Sequence, residues 1–168
     1  MDLLLIRHAL AEDREAFART GAGDDRRPLV EKGRKRMVKA ARNLTAMVTG
    51  IDLLYTSPYL RARQTADLVA EAFGLGAIRE TELLQPGTEP EAVLSWLQAE
   101  RPMGTVAMVG HEPDLGELVS LALCGHGHSF VPLKKGGACL VSFGPRIEPG
   151  MALLRWCSTN SQLRKYKG

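Results

Sequence analysis

A chain of 168 residues, 45% hydrophobic and 24% charged, has the composition of a folded domain with a full core. A net charge of +3 is too small to require nucleic acid, and Asp2 with only Leu3-Leu4-Leu5-Ile6 before Arg7 makes no signal peptide. No stretch reaches membrane-spanning length, and three scattered cysteines (Cys124, Cys139, Cys157) without a Cys-x-x-Cys pair fit reduced, mostly buried thiols in a cytoplasmic protein.

The first element is the apolar run Leu3–Ile6, which reads as a buried central strand of a parallel sheet. It ends in Arg7-His8, a bidentate anion donor beside an imidazole that can act as nucleophile, base or acid. Residues 10–27 are polar and without periodicity, and are expected as a long loop over the crevice. Val30, Met37, Ala40, Ala41, Leu44, Met47 and Val48 then recur at helical spacing. Ile51–Thr56 is a second strand, followed by Ser57-Pro58 as N-cap and first helical residue of a helix that carries Ala62, Ala66, Val69, Ala70 and Phe73 inward.

A short strand near Ala77–Thr81 leads to Glu82. Thr88-Glu89-Pro90-Glu91 has the pattern of a capping box before the helix of Val93, Leu94, Trp96 and Leu97. Thr105–Val109 is another buried strand, ending in Gly110-His111-Glu112-Pro113, and Leu115, Leu118, Val119 and Ala122 line one face of the next helix. Gly125-His126-Gly127-His128 reads as a loop, since two histidines with no third ligand do not make a metal site. Lys134-Lys135-Gly136-Gly137 reads as a solvated turn. Ala138–Phe143 and Met151–Cys157 are expected to form an edge hairpin, with Cys139 and Cys157 in the core, and Leu163–Lys167 to be a solvated basic end. The alternation predicts an α/β fold, a three-layer α/β/α domain with a largely parallel sheet.

On that scaffold Arg7, His8, Arg61, Glu82 and His111 all fall at or just past carboxyl ends of strands, where open α/β sheets bind ligands. Arg61 falls in the first turn of its helix, where the macrodipole disfavours a cation by roughly 0.3–1 kcal/mol. An anion held between it and the helix amides removes that conflict. Two arginines and two histidines converging in this way describe a pocket for a phosphoryl group.

Four segments carry a resemblance to a known family. Leu5-Ile6-Arg7-His8-Ala9, Arg27-Pro28-Leu29-Val30-Glu31-Lys32-Gly33, Ser57-Pro58-Tyr59-Leu60-Arg61-Ala62-Arg63-Gln64-Thr65-Ala66 and Val109-Gly110-His111-Glu112-Pro113 stand in the order and spacing of the histidine phosphatase superfamily. Over nearly its whole length the chain resembles the small SixA-type phosphohistidine phosphatases of this phosphoglycerate mutase-like group. There are two departures: Ala9 replaces a common Gly, and Val30 replaces a capping Thr, which costs that helix about 1 kcal/mol.

The resemblance implies that residues 1–168 form one domain in which His8 attacks phosphorus and water then releases phosphate. Arg7, His8, Arg61 and His111 would hold the phosphoryl oxygens, with a backbone amide near Glu112 as a further donor. No metal or other cofactor is needed. Glu82 corresponds to the acid that protonates the leaving oxygen in mutase-like relatives. The implied substrate is phosphohistidine in a protein, such as a histidine phosphotransfer domain in signal transduction. The alternatives are a small phosphoester, handled by a phosphomonoesterase or mutase, and a non-catalytic phosphate-binding module. Between Glu82 and Thr105 there is room for one helix but no lid, so the crevice is expected to stay open unless 10–27 folds over it.

Overall fold

A computed structural model describes residues 1–166; Lys167, of the basic end, lies outside the described residues. Six strands form one sheet: β1 (Asp2–Arg7), β2 (Leu53–Thr56), β3 (Arg79–Glu80), β4 (Thr105–Gly110), β5 (Ala138–Phe143) and β6 (Ala152–Ser158). Their order is β3-β2-β4-β1-β5-β6, in which the first four are parallel and β5 and β6 form the antiparallel edge. The expected largely parallel sheet with an edge hairpin is therefore present, and β1 is central.

β1 shows why the fold has three layers. Alternate side chains point to opposite faces, and both faces are covered. Leu4 and Ile6 pack with α2 (Glu31–Leu44) and α3 (Leu60–Phe73), whereas Leu3 and Leu5 pack with α4 (Pro90–Glu100) and α5 (Asp114–Cys124). All four are fully buried, and each such side chain contributes about 1.5–3 kcal/mol of transfer free energy.

Several local expectations give way to packing. Ser57 does not cap α3; Tyr59 is the flanking residue, and the Ser57 hydroxyl accepts from its amide at 3.3 Å. The Thr88 capping box does not form, because that hydroxyl donates to the Gln85 carbonyl at 3.0 Å and α4 has no side-chain cap. Val30 leaves α2 uncapped, as its side chain dictates. Cys139 is buried, but Cys157 is exposed, since β6 is an edge strand, and Cys124 is exposed at the end of α5. The C-terminal segment is more than a solvated end: α6 (Asn160–Leu163) buries Leu163 against the α2–α3 layer, and Asn43 donates to the Leu163 carbonyl at 2.7 Å.

Residues 10–27 are folded. They hold the short helix α1 (Arg14–Ala18) and a 3-10 turn at Asp24–Arg26, closed by an Ala11–Leu29 bridge and by the Glu12 amide on the Pro28 carbonyl at 3.0 Å. Gly33 permits this closure, because a Cβ there would collide with the Leu10 carbonyl, which also accepts from the Val30 amide at 3.1 Å. Gly33→Ala should therefore cost about 1–3 kcal/mol, a fall of roughly 3–10 °C in melting temperature. An unchanged Tm would mean that the 10–12 segment yields freely.

Candidate active site

The carboxyl ends of β1, β2 and β4 meet in one cavity of about 450 Å³, whose lining includes Arg7, His8, Arg61, His111 and Glu112. A larger cleft of about 670 Å³ opens at the amino ends of the strands, lined by Met1, Arg101, Met103 and Glu148 among others, but contributes no buried unpartnered polar atom.

The motif residues earn their places locally. In α3, the Thr65 hydroxyl accepts from the Ala9 amide at 3.0 Å and donates to the Arg61 carbonyl at 2.7 Å, and Gln64 accepts from the Leu29 amide at 2.8 Å. One helix thus fixes the end of β1, its own first turn and the end of the 10–27 segment.

The two histidine rings lie 5.2 Å apart between centroids. His8 is 5% exposed, and its Nδ1 is 2.8 Å from the Ala9 carbonyl; since a carbonyl only accepts, Nδ1 carries the proton and Nε2 keeps a lone pair. Burial pushes the His8 pKa down to about 2; the Ala9 bond opposes this, and His111, Arg61 and Arg7 add to it. Burial, followed by the charge of Arg61, lowers His111 to about 3. The His111 Nε2 is 2.9 Å from the Ser57 hydroxyl, which already accepts from Tyr59. The proton of that fully buried hydroxyl has no other acceptor among the described residues, so the hydroxyl donates to Nε2, leaving Nδ1–H on His111.

Of the four buried side-chain polar atoms without a partner among the described residues, three are Arg7 Nε, Arg61 Nε and His111 Nδ1. Buried donors are almost always satisfied. Three orphans on one cavity wall describe a receptor for an acceptor-rich anion.

The 10–27 segment supplies residues that sequence reasoning passed over. Arg61, 4% exposed, gives Nη2 to the Asp24 carboxylate at 3.0 Å and Nη1 to the Asp24 carbonyl at 2.7 Å. Arg27 binds the same carboxylate at 2.8 Å and the Glu12 carbonyl at 2.7 Å. Burial alone would raise the Asp24 pKa, but the Arg27 hydrogen bond and the charges of Arg61, Arg27 and Arg14 hold it below the usual value. Tyr59 lies under the Arg61 guanidinium, with Cζ 4.8 Å from its ring centre, and edge-on to His111.

Two expected residues sit differently. Glu82 is exposed on a 3-10 turn (Glu82–Leu84) and does not line the cavity; the Thr81 hydroxyl takes the Leu83 amide and starts that turn, and Pro86 reaches the cavity instead. Glu112 does line it, but its carboxylate accepts from the Leu133 amide at 3.0 Å, and burial raises its pKa against that bond and the charge of Arg7. The expected turn at Lys134–Gly137 is present, yet Lys135 reaches the cavity wall. Among the described residues, no group of three or more His, Cys, Asp or Glu side chains could hold a metal ion.

Residues 3–85 match the sequence model of the histidine phosphatase superfamily (branch 1). The chain is 36% identical over 140 residues to an uncharacterized protein of Picosynechococcus sp., covering 82% of each. Its fold is similar to that of the protein histidine phosphatase SixA solved with tungstate, with a TM-score of 0.83 and 24% identity over 97% of this chain and 99% of that one. It is also similar to a mycobacterial glucosyl-3-phosphoglycerate phosphatase solved with VO3, with a TM-score of 0.71 and 16% identity over 94% and 99% of the two chains.

Both depressed histidine pKa values lie below the ordinary value near ~6.5, so both rings should stay neutral from pH 8 down to about pH 5. Ring-nitrogen NMR shifts check this; an imidazolium pattern for either at pH 6 would refute it. Asp24→Asn, which removes the charge fixing Arg61, should lower kcat/KM for an aryl phosphate by roughly tenfold or more; a rate equal to wild type would show that Arg61 is held without it.

Proposed function

The chain belongs to the histidine phosphatase superfamily (branch 1), and on that premise we propose that it is a metal-independent phosphatase working through a phosphohistidine intermediate on His8, with a phosphohistidine protein as substrate. Residues 1–168 form one such domain in this reading, acting in the cytoplasm in signal transduction. The observation that carries it is the trio of orphaned buried donors on Arg7, Arg61 and His111 beside an imidazole kept neutral.

In the first step the Nε2 lone pair of His8 attacks phosphorus, forming a P–N bond as the bond to the leaving group breaks. Nδ1–H stays on the Ala9 carbonyl and holds the ring in the attacking tautomer. Arg7, Arg61 and the Nδ1–H of His111 offer donors to the phosphoryl oxygens, where charge stabilisation contributes most to such a transfer. In the second step water attacks the same phosphorus, the P–N bond breaks, and phosphate and neutral His8 are restored.

The identity of the leaving group bears on the substrate. An alkoxide leaving group needs an acid at its oxygen, and Glu82 is exposed outside the cavity lining. A phosphorylated imidazole can take its proton from solvent before attack, which favours phosphohistidine. The alternative, a small phosphoester, draws its support from Glu112, a cavity carboxylate with a raised pKa, and would use it as the proton donor.

Rapid quenching during turnover should trap one phosphoryl group on His8, labile to acid and stable to base, and His8→Ala should abolish it. Label on any other residue would overturn the assignment. Vanadate should inhibit competitively, and chelators should leave the rate unchanged; an activity lost with EDTA and restored by a divalent ion would refute the metal-independent reading.

A further inference from the structure

We infer that the groove beside the catalytic cavity is a docking site for acidic side chains that flank the phosphorylated residue of a protein substrate, an inference that rests on the phosphohistidine reading above. This groove, about 350 Å³, lies between α2, the Lys134–Gly137 turn and the α6 segment, and Arg36, Lys134, Lys135 and Arg164 line it. No carboxylate lines it, and none of these four cations is in an ion pair among the described residues. Across the whole chain 22 basic residues are nearly matched by 19 acidic ones, so a groove lined by four cations and no carboxylate is locally enriched in positive charge. Leu10 and Lys135 line both groove and catalytic cavity, so the two adjoin.

The backbone fixes this basic strip relative to His8. The Gly136 amide donates to the carbonyls of Arg7 (3.1 Å) and His8 (3.0 Å), and the Arg7 amide donates to the Gly137 carbonyl at 3.1 Å. Arg7 Nη1 also reaches the Leu133 carbonyl at 2.8 Å. Gly136 sits at φ +69, and a Cβ there would meet Asn160 Nδ2 at 2.8 Å. Asn160 donates to the Gly136 carbonyl at 3.2 Å and accepts from Arg164 Nε at 2.9 Å. The lysine turn and Arg164 are thus tied to the residues that carry the proposed nucleophile. A substrate whose carboxylates lie in the groove is held in register with a phosphoryl group over His8.

Exposure selects the occupant. Arg36, Lys134 and Lys135 are exposed, and exposed cations are worth little singly, gaining strength only against several carboxylates together. An acidic protein face offers those; a lone small anion does not.

The test uses two histidine-phosphorylated peptides of equal length, one flanked by Asp and Glu, the other by Asn and Gln, with an aryl phosphate as the small reference. At low salt kcat/KM should be about tenfold higher for the acidic peptide, and the difference should shrink at roughly 0.5 M salt. The double variant R36E/K134E should lose the preference and keep its aryl phosphate activity. R36Q/K134Q should fall midway, and it decides the matter should the charge reversal unfold the protein. Equal rates on the two peptides, or a preference that both variants keep, would overturn the groove assignment and leave the phosphohistidine reading standing. Aryl phosphate turnover with neither peptide hydrolysed would overturn both.

Discussion

A guanidinium that is 4% exposed governs the rest of the site. Burying an unpaired charge costs on the order of several kcal/mol, and the Arg61 helix offers no carboxylate in reach. The compensation comes from Asp24, 37 residues earlier in the chain, through two contacts to Arg61. Asp24 in turn needs Arg27, Arg27 needs the Glu12 carbonyl, and the ends of this segment close because Gly33 lets Leu10 approach α2. Through this chain of contacts the buried cation organises residues 10–33. The pairing is incomplete, since Nε of Arg61 has no partner, and that shortfall leaves the site one donor to offer a ligand.

The same burial sets the chemistry proposed for His8. Desolvation disfavours the imidazolium, and the neighbouring arginines disfavour it further. A ring that must attack as a free base is thereby kept in that form without a dedicated base beside it. Fixing the tautomer takes one hydrogen bond to the backbone of the adjacent residue, and the Ser57 hydroxyl does the corresponding work for His111. The cost is a cluster of cationic and polar groups that is fully satisfied only when an anion is bound. Stability given up at such a site is a recurring feature of binding pockets built before their ligand arrives.

Much of this was legible in the sequence because it follows from periodicity and topology. Apolar runs and helical spacing gave the alternation, and parallel connections bring strand ends together, so Arg7, His8, Arg61 and His111 could be placed in one crevice without coordinates. Asp24, Arg27, Tyr59 and Lys135 could not. Residues 10–27 have no period to read, and Asp24 matters through a contact that only the folded path of that segment creates. Glu82 follows β3 as expected, but its side chain is exposed outside the cavity lining, because the hydroxyl of Thr81 starts a 3-10 turn there that has no sequence period. The capping signals at Ser57 and Thr88 failed because each hydroxyl is engaged elsewhere, Ser57 by the buried His111 and Thr88 by the Gln85 carbonyl.

The segment 10–27 also bears on how such a site selects its substrate. A lid closes over a small ligand and supplies contacts that exist only when it is shut. Here Arg27, Asp24 and the Ala11–Leu29 bridge tie the segment down, and it forms one wall of the cavity. That wall carries both signs of charge, Glu12, Asp13 and Asp24 beside Arg14 and Arg27, and the Asp24 carboxylate is paired with Arg27 and Arg61. Lys135 also lines the cavity and is shared with the adjoining basic groove. Positive charge without a carboxylate beside it therefore lies on the α6 side, and the proposed docking draws an acidic partner there. Orientation of this kind comes from fixed charges outside the phosphate cradle, which leaves the cradle free to be the same for every phosphoryl group while the rims decide what the group is attached to.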